Sequence, residues 1–387
     1  VNKSGRKRYA MIGGGLDAFI GQVHRRAAAL DGTGELVAGA LSSTPARSRE
    51  SGEALGLAED RIYPTWRELV EAEGPRAGSG TGVDWVTIVT PNDSHYEIAR
   101  ACLEAGLDVV IDKPMTRTSE EAASLEILAR ERGKVCAVTY NYTGYPMVRR
   151  ASELVRSGAI GEVRKVFAEY HQGWLATPIE QEGVKQAAWR TDPARAGLGG
   201  ALGDIGTHAE HLVRFVTGLE VDRLCADLRS FVPGRTLDDD ASVLIRYRDG
   251  ASGVLTCSQV CVGRANGLSL RLYGSHGGIA WNQEDPELLH IATLDGCWRT
   301  ERRGLDGLGE RVHAGSRIPP GHPEGFIEAF ANIYRGVARA IDARREGTEP
   351  GTLGDDVPTA RDGRIGVRFV ELCVESAERE GTWVEWS

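Results

Sequence analysis

Lys113 stands between Asp112 and Pro114, directly after the apolar run Val109-Val110-Ile111. A short continuous apolar run is what a strand buried on both faces of a parallel sheet requires. Proline cannot continue the ladder, and it biases the residue before it toward an extended backbone. The lysine is therefore expected at the carboxyl end of a buried strand, where open α/β sheets place their ligands. A cation held there can stabilise an oxygen on which negative charge develops. Taken alone, the stretch also fits a surface lysine beside a turn proline.

Asp204 and His208 are spaced i, i+4 in Asp204-Ile-Gly-Thr-His208-Ala-Glu-His211, so one helix face is expected to carry both. The preceding Gly199-Gly200-Ala201-Leu202-Gly203 lets the backbone approach something closely. A carboxylate in a first helical turn is favoured by the dipole and can orient an imidazole one turn on. That is what a general acid/base histidine needs. The plainer alternative is a helix cap plus a core histidine. His208 and His211 also suggest metal, but no third ligand is evident and none is expected.

These groups need elements to position them. Tyr9-Ala-Met-Ile12 reads as a first strand running into Gly13-Gly14-Gly15-Leu16-Asp17-Ala18 and a helix to about residue 30. Gly13, Gly15 and Ala18 match G-x-G-x-x-[GA], whose small residues permit a tight turn beside a dinucleotide pyrophosphate. Phe19 and Ile20 open the helix whose free N–H groups would meet that anion. A second strand over 36–41 ends in Ser42-Ser43, with Arg47 four residues on, where NAD-preferring sites usually carry Asp or Glu. Ser42, Ser43 and Arg47 suit a 2′-phosphate, a free ribose or a plain surface turn, so NAD and NADP both stay open. The βα rhythm continues with the strand Trp85–Val89, then Thr90-Pro91-Asn92 and a helix from His95 that stops at Gly106. Thr90, Pro91, Asn92 and His95 are candidate cofactor contacts, His95 being equally suited to a packed, hydrogen-bonded role. Thr118 and Glu121 form a capping box that starts a further helix, and a strand at 135–139 closes this half.

From about residue 142 the pattern changes. A helix over 146–157 is followed by strand-like runs at 162–171, 223–231, 241–247, 253–260 and 268–274. Short turns such as Arg248-Asp249-Gly250 indicate an antiparallel sheet. Tyr142, His171, Trp174 and Arg190, with Tyr140, Asn141 and Trp189 nearby in sequence, combine aromatic faces with hydrogen-bonding groups, which suits a polyhydroxylated ring; several of them can equally be packing residues.

A chain of 387 residues fits two domains, and 41% hydrophobic with 26% charged residues is ordinary globular composition. A net charge of −9 argues against a nucleic-acid surface, and the basic Lys3–Arg8 cluster is too short to reverse it. No apolar run approaches the roughly 18–20 residues of a membrane span, and the basic start runs into a glycine-rich turn, so a cytoplasmic protein is expected. The seven cysteines are scattered and fit reduced, mostly buried thiols.

Together, the Gly13/Gly15 turn, Asp112-Lys113-Pro114, and Gly199-Gly200 followed by Asp204-x-x-x-His208 resemble the glucose–fructose oxidoreductase/inositol dehydrogenase (Gfo/Idh/MocA) family. The resemblance extends to His322-Pro-Glu-Gly-Phe326 and to Asp362-Gly363-Arg364 with Arg368-Phe369-Val370-Glu371. Asp112 departs from it, since glutamate is commoner there. The resemblance implies a Rossmann domain over 1–140 (α/β) and an α+β domain over 141–387 with a large, mainly antiparallel open sheet. It implies an NAD- or NADP-dependent dehydrogenase of a sugar, sugar derivative or inositol, in which Lys113, Asp204 and His208 meet at the nicotinamide and Asp112 contributes to the cofactor site. A homodimer or homotetramer through the second sheet is expected, its outer face carrying alternate apolar residues of strands such as 241–247. Rival readings are an NAD-dependent glycosidase of the same fold and a non-catalytic sugar-binding regulator.

Overall fold

The computed structural model describes residues 6–386, so Lys3 of the basic cluster lies outside the described residues. The chain divides into two compact units, one of residues 1–144 with 326–364, the other of 145–325 with 365–387.

The first unit opens with strands β1 (Lys7–Gly13), β2 (Gly34–Ala40), β3 (Trp85–Val89), β4 (Asp108–Ile111) and β5 (Cys136–Val138). Helices α1 (Phe19–Leu30), α2 (Pro45–Ala54), α3 (Trp66–Glu73), α4 (His95–Glu104) and α5 (Ser119–Glu131) connect them. The sheet is parallel in the order β2-β1-β3-β4-β5. Alternate strand residues go to opposite faces, and each face has a core. Ala10, Ile12, Val86, Ile88, Val109 and Ile111 pack with Ile98 and Leu125 on one side. Tyr9, Met11, Trp85 and Val110 pack with Val23 and Ala27 on the other. Burial on both faces is why these strands read as unbroken apolar runs. The Thr118 hydroxyl accepts the Glu121 N–H, so α5 begins at the expected cap.

The second unit contains α6 (Pro146–Arg156), β6 (Val163–His171), α7 (Lys185–Arg190), α8 (Pro193–Ala196), a π-helical turn at Leu202–Gly206 and α9 (Thr207–Thr217). Strands β7 (Val221–Arg229), β8 (Asp240–Tyr247), β9 (Ser252–Ser258), β10 (Gly267–Gly274), β11 (Gly277–Asn282), β12 (Leu288–Thr293) and β13 (Trp298–Arg302) follow, then α10 (Glu310–Ala314). The nine-stranded sheet is antiparallel except where β6 lies parallel to β9. Strands β11–β13 lie beyond the runs legible in the sequence, because their apolar alternation is short and β13 is mostly exposed.

The chain then returns to the first unit with α11 (Phe326–Glu346) and α12 (Gly351–Asp355). This departs from the contiguous 141–387 domain expected from sequence. The reason is apolar: Phe330, Ala331, Tyr334, Val337 and Ile341 of α11 complete the core that faces α1. Helix α13 (Ala360–Glu378) carries the chain into the second unit, where β14 (Val384–Glu385) pairs with β7.

The outward side of β8 also differs from expectation. Ala241, Val243, Ile245 and Tyr247 are the buried set, and the exposed positions are Ser242, Leu244 and Arg246. The apolar alternation therefore marks the covered face. Among the described residues no helix is long and apolar enough to cross a membrane.

Candidate active site

In the first unit the glycine turn is built as a cradle. Gly13 and Gly14 have φ of +78° and +69°, a region that favours glycine. A Cβ on Gly15 would lie 2.8 Å from the Leu41 carbonyl oxygen. The closest approach involves a residue that the motif spacing missed. A Cβ on Gly21 would stand 2.3 Å from the Gly14 carbonyl oxygen, so Gly21 lets α1 lie against the turn. Ala18, the last small residue of the motif, is the extended residue that precedes the helix. A fourth glycine one turn further along was the available signal.

Ala18 provides no side-chain cap, and the first turn of α1 holds no acidic residue. The first-turn N–H groups, beginning at Phe19 and Ile20, are thus left for an anion. Phe19 is exposed and Ile20 half-buried. Ser42 is half-buried and its hydroxyl accepts the Thr44 N–H at 3.2 Å, while Ser43 and Arg47 are exposed. This is the β1/β3 switch point of the sheet, where doubly wound folds bind dinucleotides. The residues present fit such a group.

Gly13 pairs with Val89 and Ile88 with Ile111, which brings Thr90, Asp112 and Lys113 to the same sheet edge as the cradle. Asp112 Oδ1 accepts the Lys113 N–H and the Thr139 hydroxyl, each at 2.9 Å. The carboxylate thereby fixes the backbone at the lysine. Asn92 is buried and Pro91 half-buried. His95 is fully buried, with Nε2 2.8 Å from the Thr90 carbonyl and Nδ1 2.9 Å from the Pro114 carbonyl. Both nitrogens face main chain, so it braces the two loops rather than presenting an edge to a ligand. Tyr142 is buried too, its ring 6.2 Å from that of Phe326.

In the second unit Asp204 lies in the π-helical turn and His208 in the first turn of α9. The single helix expected from sequence is thus interrupted where π-bulges favour functional positions. The Gly199–Gly203 stretch wraps a group that sequence did not flag. Asp238 accepts the Gly200 and Leu202 N–H groups at 2.6 and 2.7 Å, and a Cβ on Gly200 would meet the Asp238 carbonyl oxygen at 2.1 Å. Burial pushes the Asp238 carboxyl up to about 6, against the pull of those N–H donors.

Asp204 Oδ2 accepts Arg190 Nε at 3.1 Å and Gln259 Nε2 at 2.9 Å. Arg190 also donates to the Gln186 carbonyl and stacks over Trp189 at 4.2 Å, with Trp174 at 5.9 Å. Arg190, expected to contact substrate, is therefore first a partner of Asp204. Trp174 is 37% exposed. A small cleft is lined by Leu175, Arg190, Gly200, Asp238 and Gln259.

His171 is not gathered with these groups. Strand alternation puts it on the opposite face of β6 from Tyr170, bonded to Thr256 at 3.0 Å. Tyr170 is the residue on the histidine side, its ring 6.2 Å from His208. Parity along β6 was the signal that could have separated the two.

Residues 7–140 match the family model described as an oxidoreductase family with NAD-binding Rossmann fold, and residues 148–280 match the GFO/IDH/MocA C-terminal domain. YfiI of Bacillus subtilis (strain 168), named an uncharacterized oxidoreductase, is 36% identical over 98% of this chain and 96% of its own. Levoglucosan dehydrogenase of Pseudarthrobacter phenanthrenivorans is 28% identical, covering 97% of each chain. The crystal structure of an inositol dehydrogenase homologue from Azotobacter vinelandii, complexed with NADH and myo-inositol, superposes with a TM-score of 0.90 at 37% identity over 98% of both chains.

Proposed function

The chain belongs to the Gfo/Idh/MocA family of NAD-binding oxidoreductases, and from that premise we propose that it oxidises a secondary alcohol of a sugar, sugar derivative or inositol to the ketone, or runs the reverse. The observation that carries this reading is the uncapped start of α1 over the glycine turn, with Lys113 at the same sheet edge. The relatives named for inositol and levoglucosan support the substrate class. The partly exposed aromatic face of Trp174 suits such a ring.

The α1 N-terminus and the Gly13–Gly15 turn would hold the pyrophosphate, with Ser42, Ser43 and Arg47 near the adenosine ribose. The bound nicotinamide supplies the hydride acceptor or donor. His208 takes the hydroxyl proton as the carbon is oxidised, the role of an imidazole general base. Lys113 holds the reacting oxygen and stabilises the negative charge developing on it. Asp204, anchored by Arg190 and Gln259, holds a neighbouring hydroxyl or the imidazole.

The test is a polyol and sugar panel with NAD and NADP supplied separately, followed by absorbance of the reduced cofactor. Lys113→Ala and His208→Asn should each lower turnover by about 10²–10⁴, with cofactor affinity little changed. The double variant should be less than multiplicatively worse, because both groups serve one hydroxyl. Near-normal turnover in folded His208→Asn would remove the histidine from the reaction.

The outward face of the large sheet carries Phe167 and Tyr273 in edge contact at 6.2 Å, with Arg271 paired to Glu169 at 2.9 Å. Aromatic and arginine side chains of this kind are enriched in interfaces. Self-association through this face belongs to the same proposal, and a monomer in light scattering at micromolar concentration would count against it.

A further inference from the structure

A chain of buried polar groups runs beneath the first unit's sheet to the residue before Lys113, and no step above uses it. Trp85 Nε1 donates to Thr87 Oγ1 at 3.0 Å. Thr87 Oγ1 lies 3.3 Å from the Tyr334 hydroxyl, which lies 2.6 Å from His24 Nδ1. His24 Nε2 is 4.0 Å from Asp112 Oδ2 and makes no hydrogen bond among the described residues. Trp85, Thr87, Tyr334 and His24 are all fully buried.

Direction along this chain follows from donor chemistry. Indole N–H can only donate, so Thr87 Oγ1 accepts. Burial lowers the His24 imidazole to about 4 against the opposing pull of Asp112, with Arg25 adding to the lowering, so the ring is neutral near pH 7. Burial also keeps the Tyr334 phenol protonated. If His24 Nδ1 carried the proton, a bare Nε2 lone pair would face the Asp112 carboxylate. If Tyr334 donates to Nδ1, an Nε2–H dipole faces that carboxylate instead. Coulomb's law favours the second arrangement, the more so because the imidazole is fully buried.

We propose that His24, held as the Nε2–H tautomer by Tyr334, is a positioning residue that orients the Asp112 carboxylate and through it the backbone at Lys113. The link to catalysis rests on the reading of Lys113 given above. At 4.0 Å the Nε2–H···Oδ2 contact is electrostatic rather than a direct hydrogen bond.

Nitrogen NMR of the histidine rings in the full chain tests the tautomer without reference to turnover. The expected spectrum has protonated Nε2 and bare Nδ1 for His24. Asp112→Asn, which removes charge at constant shape, should raise the Nδ1–H fraction, and Asp112→Glu should shift the Nε2 resonance as a direct bond forms. In turnover, His24→Gln should lower kcat about tenfold, the worth of one buried polar interaction, while KM for cofactor holds and the substrate deuterium isotope effect rises. A loss of folded protein alone would move neither the isotope effect nor KM. An Nδ1–H tautomer in the wild type, or a spectrum indifferent to Asp112→Asn, overturns the proposal. Full kcat in folded His24→Gln overturns its catalytic part. Should Lys113→Ala retain turnover, the functional reading fails while the tautomer result stands, which separates the two failures.

Discussion

Arg190 Nε stands 3.1 Å from Asp204 Oδ2, and the same oxygen accepts Gln259 Nε2 at 2.9 Å. The guanidinium is held in turn by Gln186 and by the Trp189 ring, so its direction is set before any ligand arrives. A carboxylate pinned by a cation and an amide is fixed in rotamer, as a group that positions a hydroxyl requires.

Arg190→Ala should therefore act through Asp204. A hydrogen bond to a charged group is worth about 1.5–3 kcal/mol, which corresponds to a loss of roughly ten- to a hundredfold in kcat/KM. Steady-state kinetics check it, with Arg190→Lys recovering only part of the loss because the fork geometry is gone. Unchanged kcat/KM in both variants would leave the arginine a surface clamp.

Gly21→Ala should weaken cofactor binding although residue 21 follows the motif. The added methyl would sit 2.3 Å from the Gly14 carbonyl oxygen, so α1 must move away from the turn that it braces. Overpacking of this kind costs about 1–3 kcal/mol. Ala18→Gly, by contrast, should change affinity little. Titration of cofactor fluorescence with the two variants distinguishes them, and equal affinities would show that the close approach is not needed.

His24 should make stability depend on pH. Its imidazole titrates at 6.5 when unfolded and about 4 when buried, so the unfolded chain binds the extra proton between those values. Stability from this group is present above pH 6.5 and is lost as pH falls toward 4, by about 3 kcal/mol in full. Asp238 works in the opposite sense. Its carboxyl is raised from 3.8 to about 6, so its contribution is lost as pH rises across that window. The two offset in the wild type, and the difference between wild type and His24→Gln isolates the histidine. That difference, measured by urea unfolding from pH 4 to 7, should grow with pH, and a flat difference would mean that the ring is not buried neutral.

Much of this protein follows from local rules read along the chain. Strand β3 and the apolar run of β4 are visible because burial on both faces demands unbroken apolar residues. Gly13 and Gly15 are visible because a tight turn tolerates nothing larger, and Lys113 because a proline ends its strand. Asp204 and His208 are legible as a spaced pair, since one helical turn is a local relation. Other features depend on residues far apart in sequence. That α11 belongs to the first unit depends on Phe330 and Tyr334 meeting α1, a contact with no signature at residue 330 or residue 24. That Gly200 must be glycine depends on the Asp238 carbonyl, and that Asp204 is held depends on Arg190 and Gln259. Whether His171 or Tyr170 shares a face with His208 is a matter of strand parity, and one residue of register reverses it. Local propensity and spacing act within a turn or a strand, so sequence alone conveys them. Long-range partners are chosen by the packing of whole elements, and only the tertiary structure decides those.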